Sequence, residues 1–294
     1  MQKINKLKLG IPKGSLQNKT IEVFKNAGFD IYVNSRSYFP TIDDTEIELT
    51  LLRAQEMSRY VEDGVLDCGI TGEDWILENS SDVKRLAELP YAKQTLNSVR
   101  WVVAVRADSK IKKIEDLDGK RVATELVGYT RKYFKKRKIN VDLEFSWGAT
   151  EFKVTSGLVD AIVDITETGS SLRANNLRIV DTLCYSTTQF IANKAAYKDL
   201  WKQKKMEYIL LLLKGALEAK GKVGLKLNIR KNDIDNLLKI LPALKRPTIS
   251  QLADASWAAC EVIIEEKDVR NLLPRLKDCG AQDIIEYPLN KLIY

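Results

Sequence analysis

The sequence predicts an α/β protein: a two-lobed body followed by a small C-terminal unit of ferredoxin-like order. Three observations carry this. Up to Ala192, short apolar runs of strand length alternate with helical stripes, the pattern of parallel sheets with helices on their faces. At 294 residues the chain exceeds what most single cores accommodate. From Lys222 onward the order changes to βαββαβ, a self-contained motif.

Each element follows from local pattern. Leu7–Pro12 reads as a first strand, and Ser15 caps a helix whose buried stripe is Leu16, Thr20, Val23, Phe24 and Ala27, with Gly28 as its stop. Glu46–Leu52 alternates as a strand should, Ala54–Asp63 is a helix, and Leu66–Thr71 is a strand turning through Gly72-Glu73-Asp74 into another helix. Val83–Leu89 is a short strand closed by Pro90. This order implies a parallel sheet.

Ser98–Val105 is a longer strand that enters a second lobe. Strands at Lys120–Thr124, Val141–Phe145 and Asp160–Ile165 alternate there with helices opening at Glu125 and Thr150. Leu177–Thr182 and Thr187–Ala192 complete the lobe and lead back. Residues 203–219 are helical. The tail then reads Lys222–Ile229 strand, Asn232–Leu241 helix, Thr248–Leu252 and Trp257–Ile264 strands, Asp268–Cys279 helix and Asp283–Tyr287 strand. The expected domains are therefore 1–97 with about 184–219, then 98–183, then 220–294.

The stretch Gly157–Asn175 carries the chemistry. An apolar strand ends at Asp164, and Thr166, Glu167, Thr168, Gly169, Ser170 and Ser171 follow before Leu172 opens a helix. Hydroxyls, backbone amides and a glycine at a strand-to-helix turn suit a phosphate, with Asp160 and Asp164 facing a sugar or metal beside it. A hydroxyl-rich N-cap after a buried strand reads equally well from these residues alone. Lys13-Gly14-Ser15 is a second junction of this type, and Gly72-Glu73-Asp74 an acidic one.

Composition narrows the classes. Net charge is 47 − 40 = +7, which favours anionic partners without separating nucleotides from nucleic acid. The most basic run, Arg131–Lys138, reads as the solvated end of a helix with Tyr133 and Phe134 turned inward, and no nucleic-acid partner is expected. There is no histidine, which removes imidazole general acid–base catalysis, His metal ligation and every Ser-His-Asp arrangement. Cys68, Cys184, Cys260 and Cys279 form no CxxC pair, and Cys68 and Cys260 read as small core residues. The N-terminal MQKINKLKLGIP lacks the apolar segment of a signal peptide, and the greasy run Tyr208–Leu213 is too short to span a bilayer. A cytoplasmic, membrane-free protein is expected.

Four segments resemble a known family, the long form of ATP phosphoribosyltransferase, the first enzyme of histidine biosynthesis. They are Gly10–Leu16 (GIPKGSL), Asp67–Trp75 (DCGITGEDW), Thr124–Phe134 (TELVGYTRKYF) and Gly157–Asn175. Leu241–Ile249 (LPALKRPTI) with Ala253–Trp257 resembles the regulatory domain of the long form. The resemblance implies transfer of phosphoribosyl from phosphoribosyl pyrophosphate (PRPP) to N1 of ATP, a Mg²⁺ requirement, feedback inhibition by histidine, and a homo-oligomer from dimer to hexamer. It implies that Thr166, Thr168, Gly169, Ser170 and Ser171 cradle the 5′-phosphate. Asp164, with Asp160 as second candidate, would bind ribose or metal. Lys13, Gly14, Ser15, Arg53 and Arg100 would meet nucleotide or pyrophosphate, and Glu73 and Asp74 ribose or Mg²⁺. Glu125 and Glu151 are further candidates. Asp164, Lys13 and Arg100 stand as the catalytic set, Asp164 and Glu73 as the metal pair, and Asn228, Thr248, Ser250 and Asp254 as candidate effector contacts. Glu167, acidic inside a phosphate turn, is expected to face solvent or metal. A two-lobed body of periplasmic-binding-protein type also serves non-catalytic binding proteins, which is the competing reading.

Overall fold

The computed structural model describes residues 5–34, 37–92, 98–242 and 247–294. Residues 243–246 of the LPALKRPTI segment lie outside them. By internal contacts the chain divides into two units, Met1–Leu210 and Leu211–Tyr294.

The first unit is built on two five-stranded sheets. In chain order the first lobe runs β1 (Leu7–Lys13), α1 (Gln17–Ala27), a small hairpin β2 (Ile31–Tyr32) and β3 (Thr41–Ile42), β4 (Ile47–Arg53), α2 (Ala54–Glu62), β5 (Cys68–Gly72), α3 (Glu73–Asn79) and β6 (Lys84–Leu89). The second runs β7 (Val99–Arg106), β8 (Arg121–Thr124), α4 (Val127–Lys136), β9 (Asp142–Phe145), α5 (Thr150–Thr155), β10 (Ala161–Thr166), α6 (Ser170–Ala174) and β11 (Leu177–Ser186). The chain then returns through β12 (Thr188–Ala192) and α7 (Leu200–Ala219).

Strand order is β4-β1-β5-β12-β6 in the first sheet and β11-β7-β10-β8-β9 in the second. The parallel arrangement expected of the first lobe holds for β1, β4, β5 and β6; each five-stranded sheet also takes in one reversed strand. In the first it is β12, antiparallel to β5 and β6. In the second it is β7, antiparallel to β10 and β11. These are the two strands by which the chain changes lobes. A segment arriving from the other lobe has no βα crossover to force it parallel.

Burial explains the continuous apolar runs. On β7, Trp101, Val103 and Val105 join the core under α4, while Val102 and Ala104 join the core under α5 and α6. A sheet covered on both faces needs apolar residues at every position rather than alternate ones. In the first lobe a Cβ on Gly10 would meet Met57 Sδ at 2.3 Å, so glycine there lets α2 seat against the sheet. Tyr133 and Phe134 are buried at 7% and 1% exposure, as the reading of the basic run required. Strand β11 extends four residues beyond the expected end at Thr182, to Ser186. Register shifts at Ile179/Asp181 and Thr182/Cys184 break its two-residue period, which hid the continuation.

The second unit has the predicted βαββαβ order: β13 (Lys222–Arg230), α8 (Ile234–Ile240), β14 (Thr248–Gln251), β15 (Trp257–Glu265), α9 (Glu266–Asp278) and β16 (Gln282–Pro288). Its antiparallel sheet, β14-β15-β13-β16, is the ferredoxin-like arrangement. Leu225, Leu227, Ile229, Cys260 and Val262 on one face pack with Leu237 of α8 and Leu272 and Leu276 of α9.

Candidate active site

Strands from both sheets of the first unit end at one cavity of about 860 Å³. Ligands collect at the carboxyl ends of parallel strands because the following turns project backbone and side chains there. On the first-lobe wall, Lys13 and Arg53 are the last residues of neighbouring strands and lie directly across the ladder from one another. Lys13 Nζ stands 4.3 Å from the centre of the Tyr38 ring. Gly14 and Ser15 line the same wall.

The second-lobe wall is acidic and hydroxylated. Asp164, Thr166, Glu167, Thr168, Ser170 and Ser171 line it, with Glu125 from the end of β8. Burial pushes the Asp164 carboxyl up to about 7, and the charges of Glu151 and Glu125 add to this. An N–H from Ile165 to Oδ1 at 2.7 Å opposes the rise but does not cancel it. The same environment raises Glu125, where burial outweighs the pull of Arg53.

The turn after β10 is ordered by its own hydroxyls. Thr166 Oγ1 accepts from Gly169 N at 2.8 Å, Thr168 Oγ1 donates to Ser170 Oγ at 2.9 Å, and Ser171 Oγ donates to Glu151 Oε1 at 2.7 Å. Gly169 has φ 76°, which favours glycine. Helix α6 has only five residues.

At the cavity floor Asp74 is 3% exposed. Its Oδ2 accepts the indole N–H of Trp101 at 2.7 Å, and Oδ1 accepts Trp75 N at 3.0 Å. Burial raises its carboxyl above the usual carboxylate range, while Trp101, Ser186 and Trp75 pull it back. Asp74 belongs to the first lobe and Trp101 to the second, so this hydrogen bond crosses between them.

Other candidates are placed elsewhere. Asp160 precedes β10 at the end opposite the cavity, and its Oδ2 accepts Arg121 N at 2.9 Å. Arg100 is the ladder partner of Thr166 on β7, and neither it nor Gly169 lines the cavity. Glu73 is held by Arg85, through Nε at 2.9 Å and Nη2 at 2.8 Å, and does not meet Asp164. Among the described residues no group of three carboxylates or thiols is arranged around a metal position. In the second unit Asn228 and Ser250 both pair with Ala259, and Thr248 lies two residues along from Ser250, so the three share the sheet face away from the core. Asn228 Nδ2 donates to Asp283 at 2.9 Å, and Asp254 accepts from Ser256 N and Oγ at 2.9 and 2.7 Å.

Three residues, Trp101, Glu78 and Arg173, escaped sequence reasoning, and a fourth, Glu167, was named there only as part of the turn. Trp101 looked like one more apolar strand position. Glu167 was expected to face solvent or metal; it lines the cavity, and its Oε2 is shut from solvent with no hydrogen-bond partner. Glu78 accepts Gly128 N and Tyr129 N at 2.8 and 2.7 Å, capping α4 from α3. Arg173 donates to Thr168 O at 3.1 Å, setting a cation beside the turn. Trp101 and Glu78 are defined by partners distant in sequence, and Arg173 by the shape of the turn.

Comparison with known proteins is decisive. The family model "ATP phosphoribosyltransferase" matches residues 53–225, and the model of that family's C-terminal domain matches 219–291. The chain belongs to the ATP phosphoribosyltransferase family. The ATP phosphoribosyltransferase of Thermodesulfovibrio yellowstonii is 59% identical over 287 residues, covering 98% of both chains. That of Pelotomaculum thermopropionicum is 56% identical over 288 residues, covering 98% of this chain and 99% of its own. A solved ATP phosphoribosyltransferase, from the HisG:HisZ complex of Thermotoga maritima, aligns with TM-score 0.60 at 29% identity, covering 70% of this chain and 95% of that one. The membership accounts for both units, catalytic body and C-terminal domain, and makes this an enzyme rather than a non-catalytic receptor.

Proposed function

We propose that the chain transfers the 5-phosphoribosyl group of PRPP to N1 of ATP, giving N1-(5-phosphoribosyl)-ATP and pyrophosphate. The observation that carries this is the polarity of one cavity, with Lys13 and Arg53 on one wall and Asp164, Glu125 and the hydroxyl turn on the other. Adenine N1 is already a nucleophile. Its lone pair forms the bond to the anomeric carbon as the bond to pyrophosphate oxygen breaks. The sugar becomes cationic in that passage, and an acidic wall stabilises it where charge develops. Lys13 and Arg53 suit the phosphate chains. Thr168, Ser170 and Ser171 suit the 5′-phosphate. With α6 five residues long, hydroxyls and turn amides supply this stabilisation more than a helix dipole does. Positioning two anions in one cavity then supplies most of the catalysis, and no imidazole is needed.

The donor set fits Mg²⁺. That ion takes hard oxygens and completes its shell with water and substrate phosphates, so one or two carboxylates suffice. Asp164, with Glu151 and Glu125 close enough to raise its pKa, would hold it, whereas Glu73 is engaged by Arg85. When bound, the ion would neutralise the departing pyrophosphate.

Feedback inhibition by histidine through the second unit belongs to the same proposal, with Asn228, Thr248, Ser250 and Asp254 as candidate contacts. So does a homo-oligomer, dimer to hexamer. Trp147, 91% exposed with Phe145 at 4.7 Å, is the kind of apolar surface that assembly covers. A cytoplasmic location accords with four free cysteines and with no described helix long and apolar enough to cross a membrane.

Incubation with ATP, PRPP and Mg²⁺, followed by mass spectrometry, tests the reaction. Formation of the N1-ribosylated nucleotide with stoichiometric pyrophosphate is expected. Binding of both substrates with no product would sink the proposal.

A further inference from the structure

We propose that the cleft between the C-terminal half of α4 and strand β9 binds a chain of linked phosphates, apart from the catalytic cavity. This second cavity, of about 530 Å³, has room for such a ligand. It shares no lining residue with the first. Glu125, just before α4, lines the catalytic cavity, so the two lie toward opposite ends of that helix.

Three cations, Arg131, Lys135 and Lys138, line the cleft. Their spacings put them on one side of α4, spread along about 10 Å. Among the described residues none of the three is ion-paired. Of the neighbouring cations, Lys132 donates to Ser80, and Arg137 stands 3.6 Å from the centre of the Tyr133 ring. Cations near the carbonyl end of a helix are stabilised by its dipole, which accounts for Lys135 in the last turn. It does not account for Arg131, more than a turn earlier, or for Lys138, beyond the helix. Lys138 has φ 61° at the position after the helix cap, where glycine is favoured. A lysine is kept in that conformation for its charge.

The rest of the lining fits an anion. Among the described residues it holds one carboxylate, Asp142. Val141 and Leu143 on either side pack into the core under α4, so the Asp142 side chain leaves from the other face of β9. Strand β9 is the edge of its sheet. Asp142 N donates inward to Lys120 O at 2.8 Å, so the N–H of Leu143 points to the open side and adds a donor. The carbonyl end of α4 repels an anion, so binding rests on the cations rather than on the helix. One phosphate cannot span cations spread over this length, whereas several joined in a row can.

The test is titration calorimetry of the full chain, without divalent metal, against sodium tripolyphosphate, with inorganic phosphate as the control. Wild type is expected to bind tripolyphosphate both in the catalytic cavity and in this cleft. The double variant Lys135→Ala, Lys138→Ala should weaken one of these sites at least tenfold, the size of a lost charge-assisted contact. It should leave the other site, and the rate with ATP and PRPP, unchanged. Lys13→Ala should weaken the other site alone. Lys138→Gly should keep or raise the melting temperature, because glycine suits that backbone, and still weaken the cleft site. ATP held in the cleft as tightly as tripolyphosphate, by comparison of wild type with the double variant, assigns the phosphate tail of a nucleotide. Tripolyphosphate held there without ATP assigns the inorganic chain. Identical tripolyphosphate binding by wild type and the double variant would overturn the proposal. Equal cleft affinity for inorganic phosphate and tripolyphosphate would overturn it too, since the spread of cations would then play no part. So would an oligonucleotide that displaces tripolyphosphate and binds the cleft more tightly, making it a nucleic-acid surface.

Discussion

The carboxylate of Asp74 accepts the indole N–H of Trp101 at 2.7 Å, joining the start of α3 to the middle of β7. Trp75 packs edge-on against the same indole, centroids 6.1 Å apart. Asp74, read from sequence as a contact to ribose or Mg²⁺, lines the cavity; its Oδ2 bond to Trp101 ties the lobes, while its Oδ1 accepts the neighbouring Trp75 amide. Trp101→Phe keeps the bulk and removes the donor. It should cost about 1–3 kcal/mol, the range for a buried partner left unsatisfied. Urea unfolding at neutral pH checks this; a variant as stable as wild type would show that the bond contributes nothing net.

A second interlobe tie is electrostatic. Glu78 receives two backbone N–H groups at the start of α4, satisfying donors that the helix leaves free. Glu78→Ala should destabilise by about 1–2 kcal/mol through loss of cap and dipole interaction together. Glu78→Gln should recover part of this. Denaturation midpoints of the three proteins decide it.

Asp164 gives a signed pH dependence. Its folded pKa, about 7, stands above the unfolded value, so the folded state holds a proton that the unfolded state has released. Stability of the ligand-free protein should therefore be highest near pH 4 as far as this group is concerned, and be lost progressively as pH rises through 7. Asp164→Asn removes that slope and should unfold later than wild type at pH 8, by on the order of a few kcal/mol. Chelator-treated samples compared at pH 5 and pH 8 measure it. Parallel pH profiles for the two proteins would contradict the raised pKa.

The same substitution should impair function in the opposite sense. Asp164→Asn is expected to lower kcat/KM for PRPP about ten- to a hundredfold, roughly 1.5–3 kcal/mol, while leaving ATP binding largely intact. Normal PRPP use would take Asp164 out of the site.

The C-terminal unit has its own test. Removing residues 222–294 should abolish inhibition by histidine. A truncated protein still inhibited would place the effector in the first unit.

Much of this was legible before any coordinates. The apolar run and hydroxyl turn of Gly157–Asn175, the junction at Lys13 and the βαββαβ tail are all local in sequence. Strand and helix periods and turn chemistry depend on neighbours a few residues apart, so they survive in a bare string. That is why α5 fell on Thr150–Thr155 as expected, and why the order of residues alone singled out Asp164, Thr168, Ser170 and Ser171, which line the cavity. Tertiary structure decided which carboxylates share the cavity. Asp160, just before β10, and Asp164, on it, are four residues apart, and a strand advancing about 3.3 Å per residue carries them toward opposite ends of that strand. Glu73 and Asp74 are adjacent, but Arg85 holds one and Trp101 the other. The reversed strands β7 and β12 and the bond from Asp74 to Trp101 arise where distant segments meet. Charge partners, burial and crossings between lobes are set by folding in three dimensions, and no spacing along the chain encodes them.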